Sequence, residues 1–147
     1  MDNTNFIPNT LYHQILEHMP ILCVDGIIIK DGKALLLLRD NEPEKNKWWF
    51  PGGRVLKSEP LEEAILRKVK EETGLVCRVK ELFDITETIF PTGVDDIPTH
   101  TVNICFILET DGENFKLDKE HNGYGWFKDV PSDSHEAIKY IFEKIKK

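Results

Sequence analysis

The chain has few cysteines and no surplus of positive charge. Its three cysteines, Cys23, Cys77 and Cys105, are widely spaced, and an odd, scattered set predicts reduced thiols, not a disulfide framework or a zinc site. The net charge of −7 argues against a general nucleic-acid or membrane-surface binder. A phosphate-containing substrate would therefore need its charge met locally, by a metal ion and a few Arg or Lys side chains.

Long hydrophobic runs are also missing. The apolar run from Ile21 to Ile29 is too short to cross a bilayer and contains Asp25. No signal-peptide pattern is visible either, so we expect a cytoplasmic protein. The 147 residues, of which 40% are hydrophobic and 31% charged, are ordinary for a globular domain. We predict one domain over residues 1–147.

Short strand-like runs alternate with helical patterns along the chain. Apolar residues at helical spacing predict helices over Thr10–Met19, from Ser58 and Pro60 to Gly74, and over Ser134–Lys147. Strands are predicted over Ile21–Ile29, Lys33–Arg39, Cys77–Glu87, Thr101–Glu109 and Gly123–Lys128, with a hairpin turn at Lys30-Asp31-Gly32 and a loop over Thr88–His100. This mixture predicts an α+β fold with a mixed sheet between helical layers.

The stretch from Gly52 to Leu75 carries the strongest chemical signal. A glycine bend leads into a helix whose last turn holds Glu71 and Glu72, where the helix macrodipole disfavours each carboxylate by about 0.3–1 kcal/mol. Arg67 and Lys68 can offset about 0.2–0.5 kcal/mol per pair, so a solvated, salt-bridged helix end is one interpretation. The other is a site for a hard divalent cation, which binds carboxylate and carbonyl oxygens.

Eight spaced positions in this stretch resemble the Nudix box, a glycine followed at fixed spacings by Glu and by an Arg-Glu-x-x-Glu-Glu-x-Gly core. The matching residues are Gly53, Glu59, Arg67, Val69, Glu71, Glu72, Gly74 and Leu75. The resemblance implies the Nudix α/β/α sandwich and a Mg²⁺ site, with Mn²⁺ as a substitute, formed by Gly53, Glu71 and Glu72. Arg67 would either orient a glutamate or form a surface pair with Glu71.

Lys68 is a departure from the box. It stands where the family normally has a Glu that binds the cation or deprotonates the attacking water. A lysine does neither easily, and its spacing favours a salt bridge to Glu72. We therefore expect fewer cations, as few as one, and a catalytic base from elsewhere in the chain.

The stretch from Asp118 to Trp126 offers that base. A histidine titrates near neutrality and can accept a proton from water, although a histidine in a polar loop, such as His121, is more often a solvated surface residue. The stretch resembles the Asp-x-x-His-x-x-Tyr-x-Trp segment of GDP-mannose mannosyl hydrolases, a Nudix branch that attacks the anomeric carbon of the sugar. Further likeness covers about residues 10–130, and the related enzymes suggest a homodimer.

The second resemblance implies a role for each of several residues. It makes His121 the base and Glu72 and Glu120 the cation ligands. Arg39 and Arg54 would bind the diphosphate, and Tyr124 would contact the same leaving group. Asp25 would contact the sugar or nucleobase, and His100 would line the pocket. Taken alone, Arg39 could be a solvated strand end, Tyr124 a core aromatic and His100 a strand cap. Asp25 is harder to explain structurally, because burying an unpaired carboxylate is costly.

Three functions stay open at this point. The favoured one is Mg²⁺-dependent hydrolysis of a nucleoside diphosphate sugar at carbon. The second is a conventional Nudix pyrophosphohydrolase that cleaves between phosphates, because this chain keeps Glu71, which the mannosyl hydrolase branch often lacks. The third is a catalytically silent domain that binds a nucleotide, which Lys68 makes conceivable.

Overall fold

The computed structural model describes residues 7–42, 44–112, 114–118 and 120–147. The elements in chain order are α1 (Asn9–His18), β1 (Ile21–Lys30), β2 (Lys33–Arg39), β3 (Trp48–Trp49), β4 (Gly52–Arg54), α2 (Leu61–Thr73), β5 (Cys77–Phe90), β6 (Thr99–Thr110), β7 (His121–Phe127) and α3 (Glu136–Ile145). Across these ranges, no helix has the length and apolar character needed to cross a membrane. All three cysteines are free thiols, and Cys105 is buried.

The seven strands form a mixed sheet organised around β1. β1 runs parallel to β6, from the Ile21–Thr101 pair to the Ile28–Leu108 pair. Its first half also pairs antiparallel with β4, whereas its end pairs with β2 through the hairpin. β2 in turn pairs with β3 and β7, and β5 lies at the outer edge next to β6. β4 and β2 therefore pair with different halves of β1, and a cleft lies between β4 and the ends of β2 and β7.

Helices α2 and α3 cover opposite faces of this sheet. α2 buries Ala64, Ile65 and Val69 in a core that also includes Val24 and Leu108. On the other face, α3 buries apolar side chains in a second core, which is made up of Ile27, Ala34, Leu36, Trp49, Phe50, Phe90, Cys105, Ile107, Ile138, Ile141 and Phe142. The predicted α+β sandwich, with a mixed sheet between helices, is confirmed.

Local turn chemistry agrees with the sequence in two places and differs in a third. Asp31 and Gly32 have φ values of 53° and 77°, as the tight β1–β2 hairpin requires, and Gly74 ends α2 with φ of 78°. The predicted start of this helix at Ser58, a residue type that often caps helices, is wrong. Pro60 occupies the N-cap position of α2 without a side-chain cap bond, and Ser58 lies in the preceding loop with φ of 66°.

The strands extend two or more residues beyond the predicted bounds at three ends. β5 continues to Phe90 and β6 begins at Thr99, so the predicted loop over Thr88–His100 is wrong at both ends. β7 begins at His121, which pairs with Arg39 across a bulge, and the histidine is therefore not in a loop. β3 and β4 were not predicted, because strands of two and three residues have no readable period. The ends of these strands are set by cross-strand pairing, which a local pattern does not show.

Candidate active site

A cavity of about 350 Å³ lies in the cleft around β1. Its charged lining consists of Asp25, Arg39, Glu44, Arg54, Lys68, Glu72, Glu120 and His121, and the backbone of Gly53 borders it. Its neutral lining includes Tyr12, Trp49, Phe50, Thr88, Phe90, Thr99, Thr101 and Asn103. The charged groups come from β1, from the ends of β2, β4 and β7, from α2 and from loops, so residues far apart in sequence meet here.

Glu72 is a buried carboxylate at the centre of the charged lining. Its side chain is 5% exposed, and its Oε2 lies 3.6 Å from His121 Nε2. The backbone N–H of Gly52 donates to Glu72 Oε1 at 2.7 Å. Burial raises the pKa of Glu72 to about 8, against the charge of Lys68 and the Gly52 hydrogen bond, which both lower it. The site thus holds an acid whose charged form is poorly compensated by protein groups.

His121 is buried at the start of β7, with its side chain 4% exposed. Its Nδ1 lies 2.7 Å from Asp118 Oδ1. Because an ionised carboxylate only accepts hydrogen bonds, Asp118 favours the tautomer with the proton on Nδ1. That tautomer leaves Nε2, the nitrogen that faces Glu72, as the proton acceptor. Asp118 was not among the predicted site residues, although its three-residue spacing from His121 was visible in the sequence.

The chemistry of these groups fits a divalent cation. Glu72, Asp118 and His121 bring ligand atoms within 4.8 Å of one another. Of the oxygen ligands predicted from sequence, Gly53, Glu72 and Glu120 border the cavity. The raised pKa of Glu72 supports this fit, because a bound cation would offset the cost of burying the charged carboxylate.

Glu71 points away from the cavity. Its carboxylate is 42% exposed, lies 3.2 Å from Arg67 Nη1 and 3.5 Å from Lys68 Nζ, and is absent from the described cavity lining. Its predicted place among the metal ligands therefore has no support in the geometry. The expected Lys68–Glu72 salt bridge is likewise replaced by the pair with Glu71.

Arg67 ties the start of α2 to its end. Its Nε donates to Glu59 Oε2 at 2.7 Å, and its Nη2 donates to the backbone oxygen of Arg54 at 3.1 Å. With Glu71 bound to Nη1, the guanidinium holds two box glutamates and the glycine loop together. The contacts of both interpretations are present, since Arg67 binds Glu59 and also forms the exposed pair with Glu71.

Asp25 forms part of the cavity floor. It is 7% exposed, and its Oδ2 accepts a hydrogen bond from Asn103 Nδ2 at 3.1 Å. Burial raises its pKa to about 7, while the Asn103 bond and the charge of Arg39 lower it. Thr101 Oγ1 donates to Asn103 Oδ1 at 2.7 Å and also contacts Thr88. Sequence reasoning missed this polar floor, because its members belong to strands whose pairing is long-range.

The two predicted diphosphate partners reach the cavity from different strands. Arg39 ends β2 opposite His121, and Arg54 ends β4 with its guanidinium carbon 5.8 Å from the Tyr12 ring centre. Both side chains line the cavity beside Lys68. Three cationic side chains thus surround a space that also contains buried acids.

His100 and Tyr124 lie away from this cavity in the described structure. His100 Nε2 contacts Glu87 Oε2 at 2.8 Å on the surface. Tyr124 is 45% exposed, stacks on Phe115 with ring centres 3.8 Å apart, and borders a second cavity. Strand alternation explains the position of His100, because its neighbours Thr99 and Thr101 line the active cavity. Tyr124 pairs with Leu37 further along β7, away from the strand end at which His121 pairs with Arg39.

Comparisons with known proteins place the chain in a family. The NUDIX domain model matches residues 19–130. Over 97 residues the chain is 42% identical to an ADP-ribose pyrophosphatase from Methanocaldococcus jannaschii, which covers 66% of this chain and 55% of that protein. Over 123 residues it is 31% identical to the low-salt glycan biosynthesis protein Agl8 from Haloferax volcanii, covering 81% of this chain and 78% of Agl8. The match to the first relative therefore spans about half of its length.

A solved structure agrees with this assignment. A MutT NUDIX hydrolase from Burkholderia pseudomallei superposes with a TM-score of 0.74 and 25% identity, covering 87% of this chain and 99% of that one. A UDP-X diphosphatase with 17% identity and a TM-score of 0.68 shares the fold. Because the family model also spans most of the sequence, the chain belongs to the Nudix family.

Proposed function

We propose that this Nudix domain hydrolyses a nucleoside diphosphate sugar of the GDP-mannose type by attack of water at the anomeric carbon. The observation that carries the proposal is the geometry of His121. Its Nδ1 is bonded to Asp118 and its Nε2 faces the cavity 3.6 Å from Glu72 Oε2. A histidine held in this way can act as a general base.

The reaction balances with the groups that line the cavity. Water forms a bond to the anomeric carbon as the bond from that carbon to the diphosphate oxygen breaks, and the electron pair leaves with the diphosphate. The proton lost by water moves to His121 Nε2, and Asp118 stabilises the imidazolium that results. The products are a nucleoside diphosphate and a free sugar.

The negative charge of the leaving group has several partners. Arg39 and Arg54 line the cavity, and a guanidinium matches the geometry of phosphate oxygens. Mg²⁺, or Mn²⁺ in its place, would be held by Glu72, Glu120 and the Gly53 carbonyl. Such an ion supplies charge stabilisation for the departing diphosphate. The buried floor around Asp25 would contact the sugar or the nucleobase.

The two relatives favour different reactions. The name of the low-salt glycan biosynthesis protein Agl8 refers to glycan synthesis, which favours a sugar-linked substrate. The ADP-ribose pyrophosphatase, at higher identity over a shorter stretch, favours our second candidate, cleavage between the phosphates. In that reaction water would attack phosphorus, with Glu72 or His121 accepting its proton.

Hydrolysis in oxygen-18 water separates these candidates. The protein would be incubated with GDP-mannose, UDP-sugars and ADP-sugars in the presence of Mg²⁺, and the products analysed by mass spectrometry. Label in the sugar is the expected result. Label in a phosphate would instead establish cleavage at phosphorus, and tight binding without turnover would indicate a nucleotide-binding domain that is not an enzyme.

We also propose that the protein forms a homodimer through the edge strand β5. Leu82, Ile85 and Ile89 on this strand are 54%, 58% and 66% exposed. Lys80 precedes these residues and Glu87 lies among them, so antiparallel pairing of two β5 strands would set Lys80 of each copy against Glu87 of the other. The strand is thus complementary to itself in charge.

Sedimentation velocity tests this interface. Ile85→Lys should convert a dimer to a monomer, because it places a charge at the centre of the apolar row. Leu11→Lys, on the exposed side of α1, is the matched control and should leave the dimer intact. A monomeric starting protein, or a dimer unaffected by Ile85→Lys, would contradict the proposal.

A further inference from the structure

Lys68 enters the active cavity from α2, one turn before Glu72. Its side chain lies across Gly53, such that a Cβ built on this glycine would come within 2.5 Å of Lys68 Cε and 3.2 Å of its Nζ. The side chain is 19% exposed. The methylene stem is therefore packed against the glycine backbone, and the ammonium is held at the cavity wall.

The ammonium affects both carboxylates at the end of α2. It lies 3.5 Å from Glu71 Oε2, and Glu71 is also bound by Arg67, which keeps that carboxylate outside the cavity. The charge of Lys68 also acts on Glu72, which lines the cavity with it. The lysine thus lies between an outward carboxylate that it pairs with and an inward carboxylate that it faces.

This position excludes a second cation. A divalent ion bound between Glu71 and Glu72 would lie close to the Lys68 ammonium, and like charges at such short range repel strongly in a partly buried site. The same ammonium is suited to an anion, because it has three donors and can share them between Glu71 and a further oxygen. Arg39 and Arg54 line the same cavity and point to phosphate as that anion.

We propose that Lys68 is a substrate-binding residue that supplies a tethered positive charge to the diphosphate, and that its pair with Glu71 leaves the cavity with a single divalent-cation site. The first half rests on the proposed function, since it requires a diphosphate substrate. The second half concerns the metal count alone. Each half has its own measurement.

Nucleotide binding tests the first half. GDP, UDP and ADP would be titrated into the protein with Mg²⁺ by calorimetry, comparing Lys68→Met with Lys70→Met, an exposed lysine on the same helix. Lys68→Met should weaken the binding of the preferred nucleotide about 10- to 100-fold, as expected for a lost charge-assisted hydrogen bond, and Lys70→Met less than twofold. Equal affinities of the two variants would overturn this half. Failure of the unsubstituted protein to bind any of the three would overturn the proposed function and this half with it.

Metal stoichiometry tests the second half without any nucleotide. Mn²⁺ binding would be followed by electron paramagnetic resonance of the free ion. We expect one tight site in the unsubstituted protein and in Lys70→Glu, and two in Lys68→Glu, where three carboxylates replace the ion pair. Two tight sites in the unsubstituted protein, or one in a folded Lys68→Glu variant, would overturn the assignment. Circular dichroism melts establish that each variant is folded.

Discussion

Glu71 and Glu72 are adjacent in sequence and have opposite environments. Glu72 is 5% exposed, accepts a backbone hydrogen bond and faces His121, whereas Glu71 is 42% exposed and is paired with Arg67 and Lys68. One helical step of about 100° separates the inward position from the outward one. The comparison teaches that a motif identifies which acids are candidates, while the packing of the helix decides which of them can reach a ligand.

The largest expected effect is the loss of metal binding and turnover on neutralising the inward acid. Glu72→Gln should lower kcat by about 10²–10⁴-fold and abolish tight Mn²⁺ binding, because it removes the buried carboxylate that faces the cavity. Glu71→Gln should change either quantity less than about tenfold. Steady-state kinetics and Mn²⁺ titration measure both. Equal losses in the two variants would remove the distinction between the acids.

The next largest effect concerns His121, the proposed base, which faces Glu72. His121→Gln should lower kcat by about 10²–10⁴-fold while Mn²⁺ binding persists, because Nε2 no longer accepts the proton of water. Asp118→Asn should give a smaller loss, since the imidazole remains but its tautomer is no longer favoured. Unchanged kcat in His121→Gln would refute the base assignment. Loss of Mn²⁺ binding in that variant would make the imidazole a ligand instead.

A third prediction compares how Glu71 and Glu72 affect the pH dependence of stability in the metal-free protein. Burial raises the pKa of Glu72 in the folded protein to about 8, above its usual 4.5. The contribution of the protonated Glu72 to the free energy of unfolding is therefore fully present below pH 4.5 and is lost as the pH rises towards 8. The loss can reach about 5 kcal/mol. Glu72→Gln should therefore flatten the fall in the free energy of unfolding between pH 5 and 8, and Glu71→Gln should not. Urea titrations at several pH values measure this slope, and an unchanged slope in Glu72→Gln would contradict the burial argument.

The smallest expected effect is that of the outward acid on stability. Glu71→Gln removes an exposed pair with Arg67, and such pairs contribute about 0–1 kcal/mol. Arg67→Met should destabilise the protein more, because this guanidinium also binds Glu59 and the backbone of Arg54. Thermal melts of both variants test the order. A larger loss in Glu71→Gln would mean that the outward acid has a structural role beyond the pair.

Much of the architecture was predictable from local pattern. The β1–β2 hairpin and the end of α2 follow from residues that favour left-handed backbone, and the helices follow from apolar spacing. The full lengths of β5 and β6 were not predicted, because the Pro, Gly and Asp residues between the strands favoured a loop over all of Thr88–His100, whereas both ends of that stretch pair with each other. The site was predictable in part. The box identified Gly53 and Glu72, and a second resemblance identified His121.

The remaining site residues depended on how distant strands meet. Asn103 and Thr101 carry no local signal, and they reach Asp25 because β6 lies parallel to β1. Tyr124 and His100 were expected in the cavity, but strand alternation turns His100 to the opposite face, and Tyr124 lies further along β7, stacked on Phe115.

Composition, turn residues and motif spacing were sufficient to predict the family, the main helices and strands, and the acids that could bind a cation. Those features act within a few residues of one another, so they can be read along the chain. Whether a given side chain faces the cavity depended on sheet register and helix packing. These are set by contacts between residues far apart in sequence, and so Glu72, Lys68 and His121 acquire their roles only in the folded protein.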